Sequence, residues 1–453
     1  MVPAVVTAAI CAVNLLIGVA FFASRWWPRP VNTPIALLLE AVLGVVYVAG
    51  FVAAGVASLR GVGVRTALRV GIAGVSAWVM VGLIELVFSS FPALLPDAVL
   101  VRNAALLMKA HRMDEQDVIE HVPESPWVKF RPGMQVRSPG IRGQDFSYEW
   151  TTDRLGFKND PRVAALERVT ALAVGDSFGE AMGVPVAAQW TTLVTEAGFP
   201  VYNLSVQGYA PVQMVGALRK YGAEFEADLV LFGFTPGSEG RNRIFKDPAA
   251  LRARRYTGAI EQVNRHVDEI RRVEYRVFPV TNAVLSGGEQ ALRGLRLGLT
   301  LRLDLATEIE AASRAPFDEA SSDWQETLAA IREARTLSQQ RGAKLAVLLF
   351  SNRAIAYHER FTGAPPPPGH YESRVREALA RTCRAERISL IDTHDAFRQY
   401  VDRVWGTSEP PPFFEIDGHP SAAGQRLIAR EVVGYLERQG MARRAPARAS
   451  IER

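Results

Sequence analysis

The stretch Val169-Thr170-Ala171-Leu172-Ala173-Val174-Gly175-Asp176-Ser177-Phe178-Gly179-Glu180-Ala181-Met182-Gly183 decides how the chain is read. The apolar run before Gly175 has the length and residue types of a buried parallel strand. A Gly-Asp-Ser at its carboxyl end stands where an open α/β sheet presents reacting groups to a crevice. Ser177 is therefore the candidate nucleophile. It also opens the next helix, so its own backbone N–H faces the site and can stabilise an oxyanion. The plainer alternative is that Asp176 or Ser177 merely caps that helix, and Gly-Asp-Ser alone does not separate the two.

Outward from this stretch the pattern is strand, helix, strand. Ala171–Val174 is followed by a helix around Gln189–Ala197, then by strands at Val201–Leu204 and Leu229–Phe234. After an Arg- and Glu-rich excursion from Asp247 to Ser322, the rhythm resumes with a helix at Trp324–Gln340 and a strand at Lys344–Phe350. A helix at Tyr371–Ala385, a strand at Ile388–Ile391 and a last helix at Ser421–Gln439 complete it. Alternation of this kind predicts an α/β, flavodoxin-like doubly wound parallel sheet. The excursion reads as a helical insertion with a solvated charged face. Pro365–Pro368 reads as an extended surface loop, and the basic stretch from Arg443 as a disordered tail.

The amino end differs in kind. No charged residue occurs from Pro3 to Ala23, and that run is about the 20 residues a helix needs to cross a bilayer. Ile35 to Ala57, interrupted by Glu40, and Val70 to Leu94, interrupted by Glu85, have the same character, which predicts three spans in a lipid bilayer. Trp26 and Trp27 suit an interfacial belt. Basic residues do not settle the orientation. Arg25 and Arg29 share one side with Arg102, Lys109 and Arg112, against Arg60, Arg65 and Arg69, and discounting those beyond the last span reverses the balance. The expected organisation is thus a membrane region over 1–96, a Pro- and Gly-rich connector over 97–161, an α/β domain over 162–440 with its insertion at 247–322, and a tail over 441–453.

Composition excludes several classes. The net charge is +5, yet 47 acidic residues are interleaved with the basic ones, which argues against a nucleic-acid partner. Two cysteines, Cys11 and Cys383, make no disulfide framework. His358, His370, His394 and His419 are not at ligand spacing, so neither metal nor other cofactor is expected.

A second motif, Phe413-Phe414-Glu415-Ile416-Asp417-Gly418-His419-Pro420-Ser421, lies just before the last helix. A hydroxyl needs a neutral imidazole to take its proton, and a carboxylate to orient that imidazole and stabilise its cation. Asp417 and His419 supply both groups. Asp-Gly-His-Pro is equally a plain turn, and His394, in Asp392-Thr393-His394-Asp395, repeats the spacing as a rival base.

Taken together, the two motifs resemble those of the SGNH or GDSL hydrolase superfamily. Val201-Tyr202-Asn203-Leu204-Ser205-Val206-Gln207-Gly208-Tyr209-Ala210-Pro211 is similar to that family's second block, whose glycine donates an N–H to the oxyanion; here it is Gly208. Thr152-Asp153-Arg154-Leu155-Gly156-Phe157-Lys158 resembles the lead-in of membrane-attached bacterial members, as does the ending Asp417-Gly418-His419-Pro420-Ser421-Ala422-Ala423-Gly424. Two departures stand out. The third block, usually Gly-Asn-Asp, is Gly237-Ser238-Glu239, so Ser238 takes the place of the third oxyanion donor, with Asn242 as an alternative. One residue instead of two separates Asp417 from His419, a spacing found in related polysaccharide O-acetyltransferases.

The resemblance implies a membrane-anchored serine esterase of the inner membrane, acting on O-acyl, chiefly O-acetyl, esters of a carbohydrate, with its catalytic domain outside the cytoplasm. It implies Ser177 as nucleophile, His419 as base and Asp417 as its orienter. Two alternatives remain: an O-acyltransferase of a surface polysaccharide, and a non-catalytic module bringing an SGNH-like domain to polysaccharide-assembly proteins.

Overall fold

A computed structural model describes residues 2–26, 34–95, 119–121, 128–139, 147–246, 308–414 and 418–444. They fall into two compact units, divided between the amino-terminal helices and the residues from 119 onward.

The first unit contains helices Val2–Trp26, Pro34–Leu59 and Val64–Ser90. Val64–Ser90 is long and apolar enough to cross a membrane, while the apolar stretches recognised in the other two are the shorter Pro3–Val19 and Tyr47–Leu59. Polar side chains tie the helices together. Asn14 Nδ2 donates to Gly71 O at 3.0 Å, Tyr47 Oη to Asn14 O at 3.1 Å, and Trp78 Nε1 to Tyr47 Oη at 2.8 Å. Glu85 is buried within this unit, as expected of an acid that faces a neighbour.

The second unit is built on one sheet. Strands β1 (Ile119–His121) and β2 (Val128–Phe130) form one antiparallel ribbon, and β3 (Gln135–Pro139) and β4 (Ser147–Thr151) another. These ribbons occupy the stretch that reads as a connector. They are followed by β5 (Arg168–Val174), β6 (Val201–Asn203), β7 (Glu226–Phe234), β8 (Lys344–Leu349) and β9 (Ser389–Asp392), all parallel in the order β6-β5-β7-β8-β9. In this flavodoxin-like order, the connection after β5 runs to one side of it and that after β6 returns to the other. Ligands of such sheets bind beside that reversal, outside the carboxyl ends of the strands.

Core strands carry near-continuous apolar runs because both sheet faces are covered. Val169 to Val174 in β5 are all at most 1% exposed. Helices 190–196, 211–221, 322–340, 371–385 and 422–438 supply the cover. Of the excursion from Asp247 to Ser322, only the end from 308 lies within the described residues. There 308–314 is helical, and Ile309 and Phe317 join the core.

The expected disordered tail needs correcting over its first residues. Arg444 donates from Nη2 to Asp228 Oδ2 at 2.6 Å and from Nη1 to Val169 O at 3.2 Å. Its guanidinium fork thus finds a carboxylate and a strand-end carbonyl together. Residues 445–453 lie outside the described ones.

Candidate active site

At the carboxyl end of β5 the chain turns into a four-residue helix, Ser177–Glu180. Asp176 is its cap, accepting from Phe178 N at 3.0 Å. The same carboxylate accepts from Thr235 Oγ1 at 3.0 Å and from Arg241 Nη1 at 3.1 Å, so the turns after β5 and β7 are pinned together. With the cap assigned to Asp176, the Ser177 hydroxyl is left for other work. It lies 2.8 Å from His419 Nε2, across 242 residues of sequence.

His419 sits in a short hairpin closed by a Phe413–Pro420 bridge and by Phe414 N donating to His419 O at 3.1 Å. Ser421 then caps the last helix, its Oγ accepting from Ala423 N at 3.2 Å. The imidazole packs on Phe178 with ring centroids 5.0 Å apart. Asp417 lies outside the described residues.

The rival base is elsewhere. His394 Nδ1 faces Ser351 Oγ at 3.3 Å, and burial, followed by the nearby Arg376 cation, depresses its pKa to about 4. Ser177 therefore meets His419 and not His394.

The second-block residues form a turn. Tyr209 N donates to Val206 O at 3.2 Å, and Gly208 has φ 81°, the value wanted at the third position of a type II turn and one that disfavours side chains. Val206 N donates to Gly175 O at 3.2 Å, holding this turn beside the nucleophile.

Ser238 is fully buried, and its Oγ has no hydrogen-bond partner among the described residues. Such a hydroxyl costs about 1–3 kcal/mol unless something else engages it. Asn242, the alternative donor, is committed elsewhere. Its Nδ2 donates to Asp323 O at 3.0 Å and to Thr327 Oγ1 at 3.1 Å, which accounts for both amide protons. Glu239 braces the same turn, its Oε2 accepting from Gly237 N at 2.9 Å and its Oε1 from the Tyr371 hydroxyl.

Several residues that hold the nucleophile turn escape sequence reasoning about the site. Asn203 Nδ2 donates to Gly179 O at 2.9 Å, and Trp190 Nε1 to the same carbonyl at 3.0 Å. A Cβ on Gly179 would lie 2.6 Å from Ser205 Oγ, so no larger residue fits there without displacement. The lead-in motif is the brace beneath. Asn159 Oδ1 accepts from Asn203 N at 2.7 Å, while buried Lys158 donates to Ala181 O at 2.8 Å and Val184 O at 2.7 Å. The signal for these roles is a run of polar residues, 158–160, that turns out to be buried throughout.

With this geometry in view, comparison with known proteins is informative. The family described as SGNH hydrolase-like domain, acetyltransferase AlgX, matches residues 310–452. The α/β unit is similar to that family. The matched stretch holds His419 and leaves Ser177, Gly208 and Ser238 upstream of it. No curated protein matches the chain. Among solved structures, TesA is 17% identical over 59% of this chain and 98% of its own, with a TM-score of 0.31. A Bacillus subtilis protein is 13% identical over 65% and 61%, with a TM-score of 0.34. A variant of Axe2, an acetyl-xylooligosaccharide esterase from Geobacillus, is 11% identical over 61% and 96%, with a TM-score of 0.32.

Proposed function

We propose that this protein is a membrane-anchored, serine-dependent O-acyltransferase that moves an acetyl-sized group onto a polysaccharide hydroxyl. The observation that carries the reading is the 2.8 Å approach of His419 Nε2 to Ser177 Oγ. The match to an AlgX-type acetyltransferase domain favours a sugar hydroxyl over water as the final acceptor.

In this reading Ser177 Oγ attacks the donor's acyl carbonyl while His419 Nε2 takes its proton. Negative charge gathers on the carbonyl oxygen, where the N–H groups of Ser177 and Gly208 and the Ser238 hydroxyl receive it. The tetrahedral species collapses to an acyl-Ser177 ester, and the leaving group departs with the proton from His419. An acceptor hydroxyl then gives its proton to His419 and attacks the same carbonyl, which releases Ser177. Asp417 is proposed to hold His419 in the tautomer that leaves Nε2 bare. The membrane region is proposed to span the bilayer three times, with the catalytic domain outside the cytoplasm.

Mass spectrometry of the full chain after incubation with an activated acetyl ester tests the reading. One acetyl group should appear on Ser177, none on Ser177→Ala, and an added oligosaccharide should discharge it faster than water does. Discharge at one rate with and without acceptors would make the protein an esterase, and absence of any acyl-enzyme would leave a binding module. Ser238→Ala should slow acylation by about a hundredfold, and Ser238→Asn should preserve it. A cysteine placed in the Pro365–Pro368 loop should react with an impermeant reagent in intact cells; reaction only after lysis would reverse the orientation.

A further inference from the structure

The nucleophile helix ends in a fully buried acid that the acyl-transfer scheme does not use. Glu180 is 0% exposed, and its Oε2 accepts from Gln207 N at 2.5 Å. Gln207 is the residue directly before Gly208, the proposed oxyanion donor, and occupies the second position of the Val206–Tyr209 turn.

In a turn of this class the middle peptide can flip, and the flip reverses where its N–H points. Here the middle peptide is Gln207–Gly208, so its orientation decides whether the Gly208 N–H reaches the site. Two tethers already hold the turn's ends, Val206 N on Gly175 O and Tyr209 N on Val206 O. The Glu180 clasp holds the N–H of the preceding peptide, Val206–Gln207, and so fixes the residue from which the middle peptide turns. Because Glu180 lies three residues after Ser177 on one turn of helix, the clasp also ties the oxyanion donor to the frame that carries the nucleophile.

A bare carboxylate so near a developing oxyanion would oppose the reaction. Lys158 offsets it: this ammonium is 1% exposed, is held on the carbonyls of Ala181 and Val184, and interacts electrostatically with Glu180. The ammonium's attraction thus counters the charge of the acceptor that Glu180 presents to the Gln207 amide.

We infer that Glu180 is a positioning residue, which aims the Gly208 N–H at the oxyanion by clasping the amide of Gln207, with Lys158 countering its charge. The inference rests on the acyl-transfer reading above, and it assigns Glu180 no contact with substrate.

The test uses the full chain in detergent, with an activated acetyl ester as substrate. Glu180→Ala should lower kcat ten- to a hundredfold with KM unchanged, because the ground state does not need the oxyanion donors. Glu180→Gln, which keeps an oxygen for the Gln207 N–H, should recover much of that loss. Gln207→Pro removes the clasped N–H together with the Gln207 side chain, and proline suits the second position of a type II turn, so it should lose kcat at least as much as Glu180→Ala does. Wild-type kcat in Gln207→Pro, or a Glu180→Gln no better than Glu180→Ala, would overturn the inference. Hydrogen exchange across residues 206–209 reads the clasp without turnover and should speed up in Glu180→Ala. If the wild type forms no acyl-enzyme, the acyl-transfer reading fails, and unchanged exchange in Glu180→Ala separately refutes the clasp.

Discussion

The two turns that bring Ser177 and His419 together are held in different ways. The nucleophile turn is fixed from below by buried charged and polar groups: Lys158, Asn159, Glu180 and Asn203 all reach its backbone or the turn beside it. The histidine turn is braced by fewer such groups: Arg353, paired with Glu308, donates from Nη1 to Phe414 O at 3.2 Å, and buried Gln425 donates from Nε2 to Pro420 O at 3.4 Å. It relies on a one-bridge hairpin, a ring contact with Phe178 and the Ser421 cap. In the proposed acyl transfer Ser177 holds one position against donors on neighbouring loops, whereas His419 exchanges a proton with two partners in succession. Rigidity on one side and a lighter tether on the other suit those tasks.

The contrast can be broken most severely from the rigid side. Lys158→Met leaves Glu180 buried without its cation, and loss of one partner of a buried pair costs about 3–5 kcal/mol. The melting temperature of the α/β unit should fall sharply, together with activity, as read by calorimetry and ester turnover. Ser421→Ala removes a helix cap and should cost only about 1 kcal/mol, yet turnover should fall by more than that stability loss alone explains, because the hairpin carrying His419 is loosened. Equal stability losses in the two variants would erase the distinction.

The smallest effect concerns acid. His370 is 0% exposed, both its ring nitrogens lack a hydrogen-bond partner among the described residues, and burial and then the neighbouring His358 depress its pKa to about 4. His394 is likewise held at about 4 by burial and Arg376. In the unfolded chain both titrate near 6.5. Between those values the unfolded state binds more protons, so stability should decline as pH falls from about 6.5 towards 4. His370→Asn and His394→Asn should each flatten that slope in pH-dependent urea titrations.

Much of this was legible in the chain. Every core strand expected from apolar runs exists, because a parallel sheet covered on both faces demands unbroken hydrophobic segments. The pairing of Ser177 with His419 came from the resemblance, since spacing alone left His394 as a rival, and the two side chains do lie 2.8 Å apart. What resisted reading depends on pairings distant in sequence. Nothing local says that the Asn242 amide is tied to Asp323 and Thr327, or that the Ser238 hydroxyl is left without a partner. The short strands of 119–151 were hidden because their ribbons are stabilised by packing of residues such as Phe130 and Trp150, whose rings meet edge-on at 5.0 Å, and not by a regular alternation. Nor does anything local say that the Lys158 ammonium is buried against the carbonyls of Ala181 and Val184.

Arg444 gives the architecture a temporal dimension. The strand that leads to Ser177, β5, is clasped at its second residue, Val169, by a side chain made 275 positions later. During synthesis that strand waits for nearly the whole unit before its last polar tether arrives, and the Ser177–His419 pair waits almost as long. Contacts of such sequence separation slow folding and expose apolar strands meanwhile. The Ser177–His419 pair can therefore form only once the chain has been made as far as His419, 242 residues after Ser177.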